Sequence, residues 1–170
     1  MKRIYRYVGS NKIAQAVAGI PPGFLIHHHS DIVTWFNTTN QKIGRGGLIT
    51  ATFIITLEGK LCIADRHSEH VACAAGKPVL SAGELALELV NQNLTVSGVS
   101  NHSTGYCPQI ESWVAVASAL QEAGLNVPNG FDPAFQFRRC PKCNAINIIK
   151  ENILECAICE AELSEFWNFE

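Results

Sequence analysis

Hydrophobic and polar positions alternate most regularly between residues 48 and 65, "LITATFIITLEGKLCIAD". Ile49, Ala51, Phe53, Ile55 and Leu57 fall on one face, and Thr50, Thr52, Ile54 and Thr56 on the other. A period of two suits a strand, because successive side chains leave it on opposite sides. Glu58-Gly59 supplies a tight turn and "KLCIADR" the returning arm, which predicts a β-hairpin. A second hairpin is predicted in "VLSAGELALELVNQNLTVSGVS", with arms from Leu80 to Val90 and Leu94 to Ser100 joined by Asn91-Gln92-Asn93. The spacing turns helical in "PQIESWVAVASALQEAG", where Ile110, Trp113, Val114, Ala117 and Leu120 share a face. Pro108 suits the first helical position, Glu111 complements the dipole of the first turn, and Gly124 is the natural stop.

The remaining segments give weaker patterns. "RIYRYVGS" reads as a short strand, followed by a brief helix "NKIAQAVAG" capped by Ser10 or Asn11 and ended by Gly19 and Pro21-Pro22. "GFLIHHHSDIVTWF" is rich in β-formers, and "TTNQKIGRGG" reads as a surface loop. "NVPNGFDP" is a loop and "AFQFRRC" a strand. Strands, hairpins, one long helix and a terminal module argue for an α+β fold, with antiparallel hairpins packed on the helix. The expected division is a body of residues 1–135 and a module with its tail over 136–170.

Composition bounds the function class. The chain has 170 residues, 47% hydrophobic and 16% charged, enough to bury an ordinary core and too apolar for disorder. A net charge of −2 offers no long-range field toward nucleic acid or an anionic membrane, so such contacts would need a local patch. The N-terminal segment lacks the apolar core of a signal peptide, and no apolar run of membrane-spanning length occurs, so a cytoplasmic protein is expected.

The candidate chemistry concentrates in "RRCPKCNAINIIKENILECAICEAEL", residues 138 to 163. Cys140-x-x-Cys143 and Cys156-x-x-Cys159 each place two thiolates on a tight turn, and two such turns make a closed tetrahedral cage. The loop between them, with Ile146, Ile148 and Ile153 around Lys150-Glu151-Asn152, reads as a hairpin returning the second pair to the first. A closed cage stabilises structure and leaves no position for chemistry. Residues 138 to 163 resemble a zinc ribbon. The resemblance implies Zn(2+), with rubredoxin-like iron as a variant, and a role in binding a partner or locking a neighbouring element. Ribbons often carry glycine after the second cysteine of each pair; here Asn144 and Glu160 stand there. A protein partner is the expectation, with nucleic acid as the alternative through Arg138, Arg139 and Lys142. The aromatic tail "SEFWNFE" is expected to pack back onto the ribbon or the body.

A second site is suggested by "DRHSEHVAC" and "SNHSTGYCP". A hairpin, a His-x-Glu and a cysteine opening a helix resemble the zinc-dependent nucleobase deaminases. That resemblance implies His67 and Cys107 as ligands and Glu69 as the acid/base. The sequence departs from it at Ile110, where the second cysteine ligand belongs, so His102 or Cys73 would have to substitute. The alternative is a nucleophilic Cys107 activated by His67, His70 or His102, with Asn101 or Asp65 orienting the imidazole. A thiol just before a helix is expected to have a lowered pKa. Cys62 and Cys73 read as small core residues, and His27-His28-His29 as a solvated or half-buried loop. "GVSNHSTGYCP" and the segment running on to "FRRCPKC" are similar to a kind of small bacterial protein, a likeness that implies no activity. The first expectation is a binding or regulatory module with a structural metal; the second is a hydrolase using His67, Glu69, His102 and Cys107.

Overall fold

The computed structural model describes residues 2–170. Its centre is a five-stranded antiparallel sheet in the order β1-β3-β2-β4-β5. The strands are β1 (Phe24–Ile26), β2 (Leu48–Ile55), β3 (Leu61–Asp65), β4 (Ser81–Val90) and β5 (Asn93–Ser100). Both hairpins form as the alternation predicts. β2 pairs with β3 with Ile55 opposite Leu61, and β4 turns into β5 at Asn91 and Gln92, both of which take positive φ. Leu57 leaves the alternating face and lies in the turn, 46% exposed.

One face of the sheet is buried along its length, and the other around Ile54, Cys62 and Ala82, while Glu84, Glu88, Thr95 and Ser97 stay partly or fully exposed. Ile49, Ala51, Phe53 and Ile55 join Ile63, Leu85 and Leu87 in the larger core, covered by α2 (His29–Thr38) and α4 (Trp113–Glu122). Ile54, Cys62 and Ala82 point the other way, into a smaller core with Tyr5, Val71, Val79 and Tyr106. Gly83 on β4 is fixed by close approach. A Cβ there would stand 1.9 Å from the carbonyl oxygen of Ser100, so any side chain would push β5 away.

Two expectations need correction. Among the described residues there is no single long helix: α4 has ten residues, as does α2, and residues 110–112 form a 3-10 turn ahead of α4. Pro108 therefore does not start the helix. Its carbonyl is taken by the buried Asn101 side-chain amide at 2.9 Å, while Gly124, at φ +72°, ends the segment as expected. The β-rich stretch after Gly23 gives only the short β1 before α2 begins. Asp31 explains the switch, because its carboxylate accepts the backbone N–H groups of His27 and His28, both at 2.9 Å. Those bonds favour the ionised acid and hold its pKa below the usual range. Residues 3–10 form no regular strand; Tyr5 makes one antiparallel bridge with Val79. The predicted short helix forms as α1 (Asn11–Ala16), with the Ser10 hydroxyl accepting the Lys12 amide. α3 (His70–Cys73) is a single turn closed by Ala75 and Gly76. No helix among the described residues is long and apolar enough to cross a membrane.

Candidate metal centre

Beyond α4 the chain enters β6 (Phe137–Arg139), crosses the first cysteine pair and returns as β7 (Ile146–Ile148). The two cysteine pairs are built alike. The Cys140 amide donates to Ala145 O at 2.9 Å and the Asn144 amide to Cys140 O at 3.0 Å. The Cys156 amide donates to Ala161 O and the Glu160 amide to Cys156 O, both at 2.9 Å. Each turn needs a left-handed residue after its second cysteine; Asn144 takes φ +61° and Glu160 φ +59°. Glu160 thus adopts the geometry that glycine usually supplies, at a strain cost of about 1 kcal/mol.

This knuckle geometry corrects the predicted hairpin. Each amide–carbonyl pair ties the first cysteine to the chain after the second, so β7 pairs with β6 and Glu155 bridges Glu162. Ile153 is left 57% exposed, although Lys150-Glu151-Asn152 does form the turn, with Glu151 and Asn152 at positive φ.

The four sulfurs converge. All lie within 4.8 Å of one another, and the Cys140–Cys159 and Cys143–Cys156 sulfur pairs are 3.6 Å apart. A disulfide would need about 2.05 Å. A tetrahedral cage with metal–sulfur bonds of about 2.3 Å places its sulfurs roughly 3.8 Å apart. The donor set therefore fits a tetrahedral thiophilic ion, and the cluster could hold one. Backbone amides already point at the sulfurs: Cys143 N–H at Cys140 Sγ and Ile158 N–H at Cys156 Sγ, each at 3.5 Å. These amides favour the thiolates, so the Cys140 pKa is lowered and that of Cys156 falls to about 6. At Cys143 the Ala145 amide pulls down, but desolvation and hydrogen bonds with the neighbouring sulfurs outweigh it and push the thiol up to about 12. Crowded thiols without a cation cannot all ionise; a divalent ion removes that conflict.

Asn147 and Asn168 had no signal in the sequence beyond being polar. The Asn147 amide donates to Cys156 Sγ at 3.5 Å, and its oxygen accepts the Ala157 N–H at 3.0 Å, steadying the second knuckle from β7. Asn168 makes a reciprocal pair with the Arg139 backbone. Arg138 and Arg139 face the protein interior. The Arg138 guanidinium donates to the carbonyls of Ser164, Phe137 and Glu165. Arg139 donates to Val8 O at 3.1 Å and lies 5.2 Å over the Phe169 ring. Lys142 alone of the three is exposed. The aromatic tail divides: Trp167 meets Tyr5 edge-on at 5.8 Å and donates to Cys107 O at 2.7 Å, Phe169 is buried, and Phe166 is 76% exposed.

The second constellation is dispersed. The cysteine quartet is the one group of three or more His, Cys, Asp or Glu side chains within ligand distance among the described residues. No three of His67, Glu69, His102 and Cys107 meet in that way. His67 and Glu69 are exposed on the loop before α3. His102 stacks on Phe135 at 4.8 Å, with Nδ1 4.0 Å from the Glu84 carboxylate. Cys107 is fully buried, and burial pushes its thiol up to about 12, against a smaller opposing pull from Arg139. That reverses the lowered pKa expected of it, because α4 begins well past it, at Trp113. The three consecutive histidines are also separated in role: His28 caps α2, while His29 Nε2 lies 3.3 Å from Leu94 O.

His70 packs between α3 and the sheet with Nε2 2.9 Å from Gly83 O, and burial pushes its pKa down to about 4. The folded protein resists protonating it, so its contribution to stability is full above about pH 6.5 and drains away as pH falls toward 4, by roughly 2 kcal/mol at pH 5. Urea unfolding of the wild type and His70→Gln at pH 7 and pH 5 checks this. Between those two pH values the wild type should lose more stability than His70→Gln does, by that increment. Parallel losses in the two proteins would remove His70 as the cause. Searches of family models, curated proteins and solved structures return no match to the chain, so the cysteine cluster is the feature from which its function has to be read.

Proposed function

We propose that the chain is a zinc-stabilised binding module: a body over residues 1–135 and a zinc ribbon with its tail over 136–170, the ribbon presenting a contact surface to a protein partner. The observation that carries this reading is the closed four-sulfur cage on two matching knuckles. Four thiolates select a soft tetrahedral ion, and zinc satisfies the cage without redox chemistry. With no open coordination position the ion serves as a brace. Arg138 and Arg139 spend their guanidinium groups on carbonyls and an aromatic ring, which favours a protein partner over a phosphate backbone. Ile158, between the second pair of cysteines, is 75% exposed, so the brace holds an apolar side chain in water.

The test is metal analysis of the full chain purified without added metal, beside Cys156→Ser. One zinc per chain, lost in the variant, is the expected result. A protein that binds no zinc, or keeps it without Cys156, would end the reading. The partner is sought with a photo-crosslinking residue at position 158 and a control at exposed Lys12. A discrete adduct at 158 alone supports the contact surface, and identical patterns at both positions overturn it.

A further inference from the structure

Cys62 and Cys73 belong to the molecule's second core and are not part of the cysteine cage. Cys62 is on β3 and Cys73 ends α3, and each thiol faces the other's backbone carbonyl, at 3.8 Å and 3.7 Å. Gly23 lies flat against both. A Cβ there would stand 2.5 Å from Cys73 Sγ and 2.8 Å from Cys62 Sγ, so the sulfurs are no farther apart than the sum of those distances. Both cysteines line a cavity of about 580 Å³, within the range of small-molecule sites. Its walls include Leu25, Ile54, Leu57, Ala75 and Pro78, and its charged members are Glu58, Lys60 and Lys77. Lys60 is already paired with Glu122. A hydrogen bond from Cys73 lowers the Cys62 pKa, whereas the same bond and burial keep Cys73 protonated. The two thiols share their protons as a pair, with Cys62 the more acidic, and lie close enough for one sulfur to attack and the other to resolve.

We propose that Cys62 and Cys73 are a redox pair that reduces an apolar organic hydroperoxide admitted to this cavity and is itself converted to a disulfide. The Cys62 thiolate attacks the terminal peroxide oxygen; the O–O bond breaks, and the leaving alkoxide takes a proton to become an alcohol. The resulting sulfenic acid on Cys62 is attacked by the Cys73 sulfur, which loses its proton as the S–S bond forms and water departs. The two thiols supply the two electrons that the peroxide accepts. The cavity supplies selectivity, because its apolar walls gain by burying the organic group. The pair shares no residue with the metal cage, so the proposal stands apart from the zinc reading.

The experiment treats the reduced, zinc-loaded full chain with cumene hydroperoxide or hydrogen peroxide, and follows Cys62–Cys73 linked peptides by mass spectrometry and zinc release with a chromogenic chelator. The expected result is a Cys62–Cys73 disulfide with zinc retained, formed about tenfold or more faster with the aromatic peroxide, a difference of about 1.4 kcal/mol or more from burying its ring. Cys73→Ser should hold Cys62 as a sulfenic acid that dimedone traps, and Cys62→Ser should give no dimedone adduct at position 73. Oxidation confined to the ribbon cysteines with zinc loss, or no linked peptide in the wild type, overturns the redox pair. Equal rates with the two peroxides overturn the apolar substrate.

Discussion

Stripping the metal from the cysteine cage is expected to melt the ribbon while the five-stranded sheet persists. Two very different cores underlie this asymmetry. The larger core gathers twenty-two buried hydrophobic residues from all five strands, α2, α4 and their flanks, whereas the cage's own cluster has three buried members, Cys140, Cys156 and Leu163. Two of those three belong to the quartet that could hold the ion, so without one the cluster is left as crowded thiols of which only some can ionise. Structural zinc contributes on the order of 10–16 kcal/mol to small cysteine sites, far more than so small a core can replace. Hydrogen exchange of the zinc-loaded protein before and after chelation measures the effect amide by amide. The knuckle amides of Cys140, Asn144, Cys156 and Glu160, each bonded to a carbonyl, should lose their protection, and those of β2 and β4 should keep it. Knuckle amides that stay protected after chelation would mean that the ion braces nothing.

The second large effect is expected at Trp167. This side chain meets Tyr5, packs on Phe169, lies under the Arg3 guanidinium at 4.9 Å and donates to Cys107 O at 2.7 Å. Trp167→Ala removes all four contacts and is expected to cost roughly 2–4 kcal/mol, somewhat below a fully buried tryptophan. Phe166→Ala, one residue away and 76% exposed, is the matched control, expected within about 0.5 kcal/mol of the wild type. Urea unfolding followed by circular dichroism gives both values, and equal effects at the two positions would sink the distinction between an anchoring and a free aromatic. A larger loss of protection in residues 136–170 than in the sheet would locate the damage at the ribbon's seat.

How far the sequence revealed these features depended on whether the decisive contact was local. Both hairpins were legible because strand period and turn chemistry act over neighbouring residues; Thr-Phe-Ile-Ile and Glu-Gly carry their instruction in the segment itself. The cage was legible for the same reason, since Cys-x-x-Cys sets its own turn. α2 was hidden behind β-branched and aromatic residues, and the feature that tips it to helix is one carboxylate, Asp31, bonded to two amides. Arg138 and Arg139 looked like a cationic patch because nothing in "FRRCPK" says that Ser164, Glu165 and Val8 will present carbonyls to them. Cys62 and Cys73 read correctly as buried, but their pairing against Gly23 depends on β1, β3 and α3 meeting.

The clasp between residues 3–8 and the aromatic tail has a consequence for how the chain reaches its fold. Val8 and Arg139 are 131 residues apart in sequence, and Tyr5 waits on Trp167, farther still. Contacts of such separation carry the largest loop-closure cost, and during synthesis Trp167 emerges after both hairpins. The hairpins can close as soon as they are made, and Tyr7 finds Tyr106 within the body, but Tyr5 lacks Trp167 until the tail has docked. If the cage takes up its ion as proposed, metal loading would also be the step that lets Tyr5 settle against Trp167, and a nascent chain short of zinc would leave both rings open to proteases and chaperones.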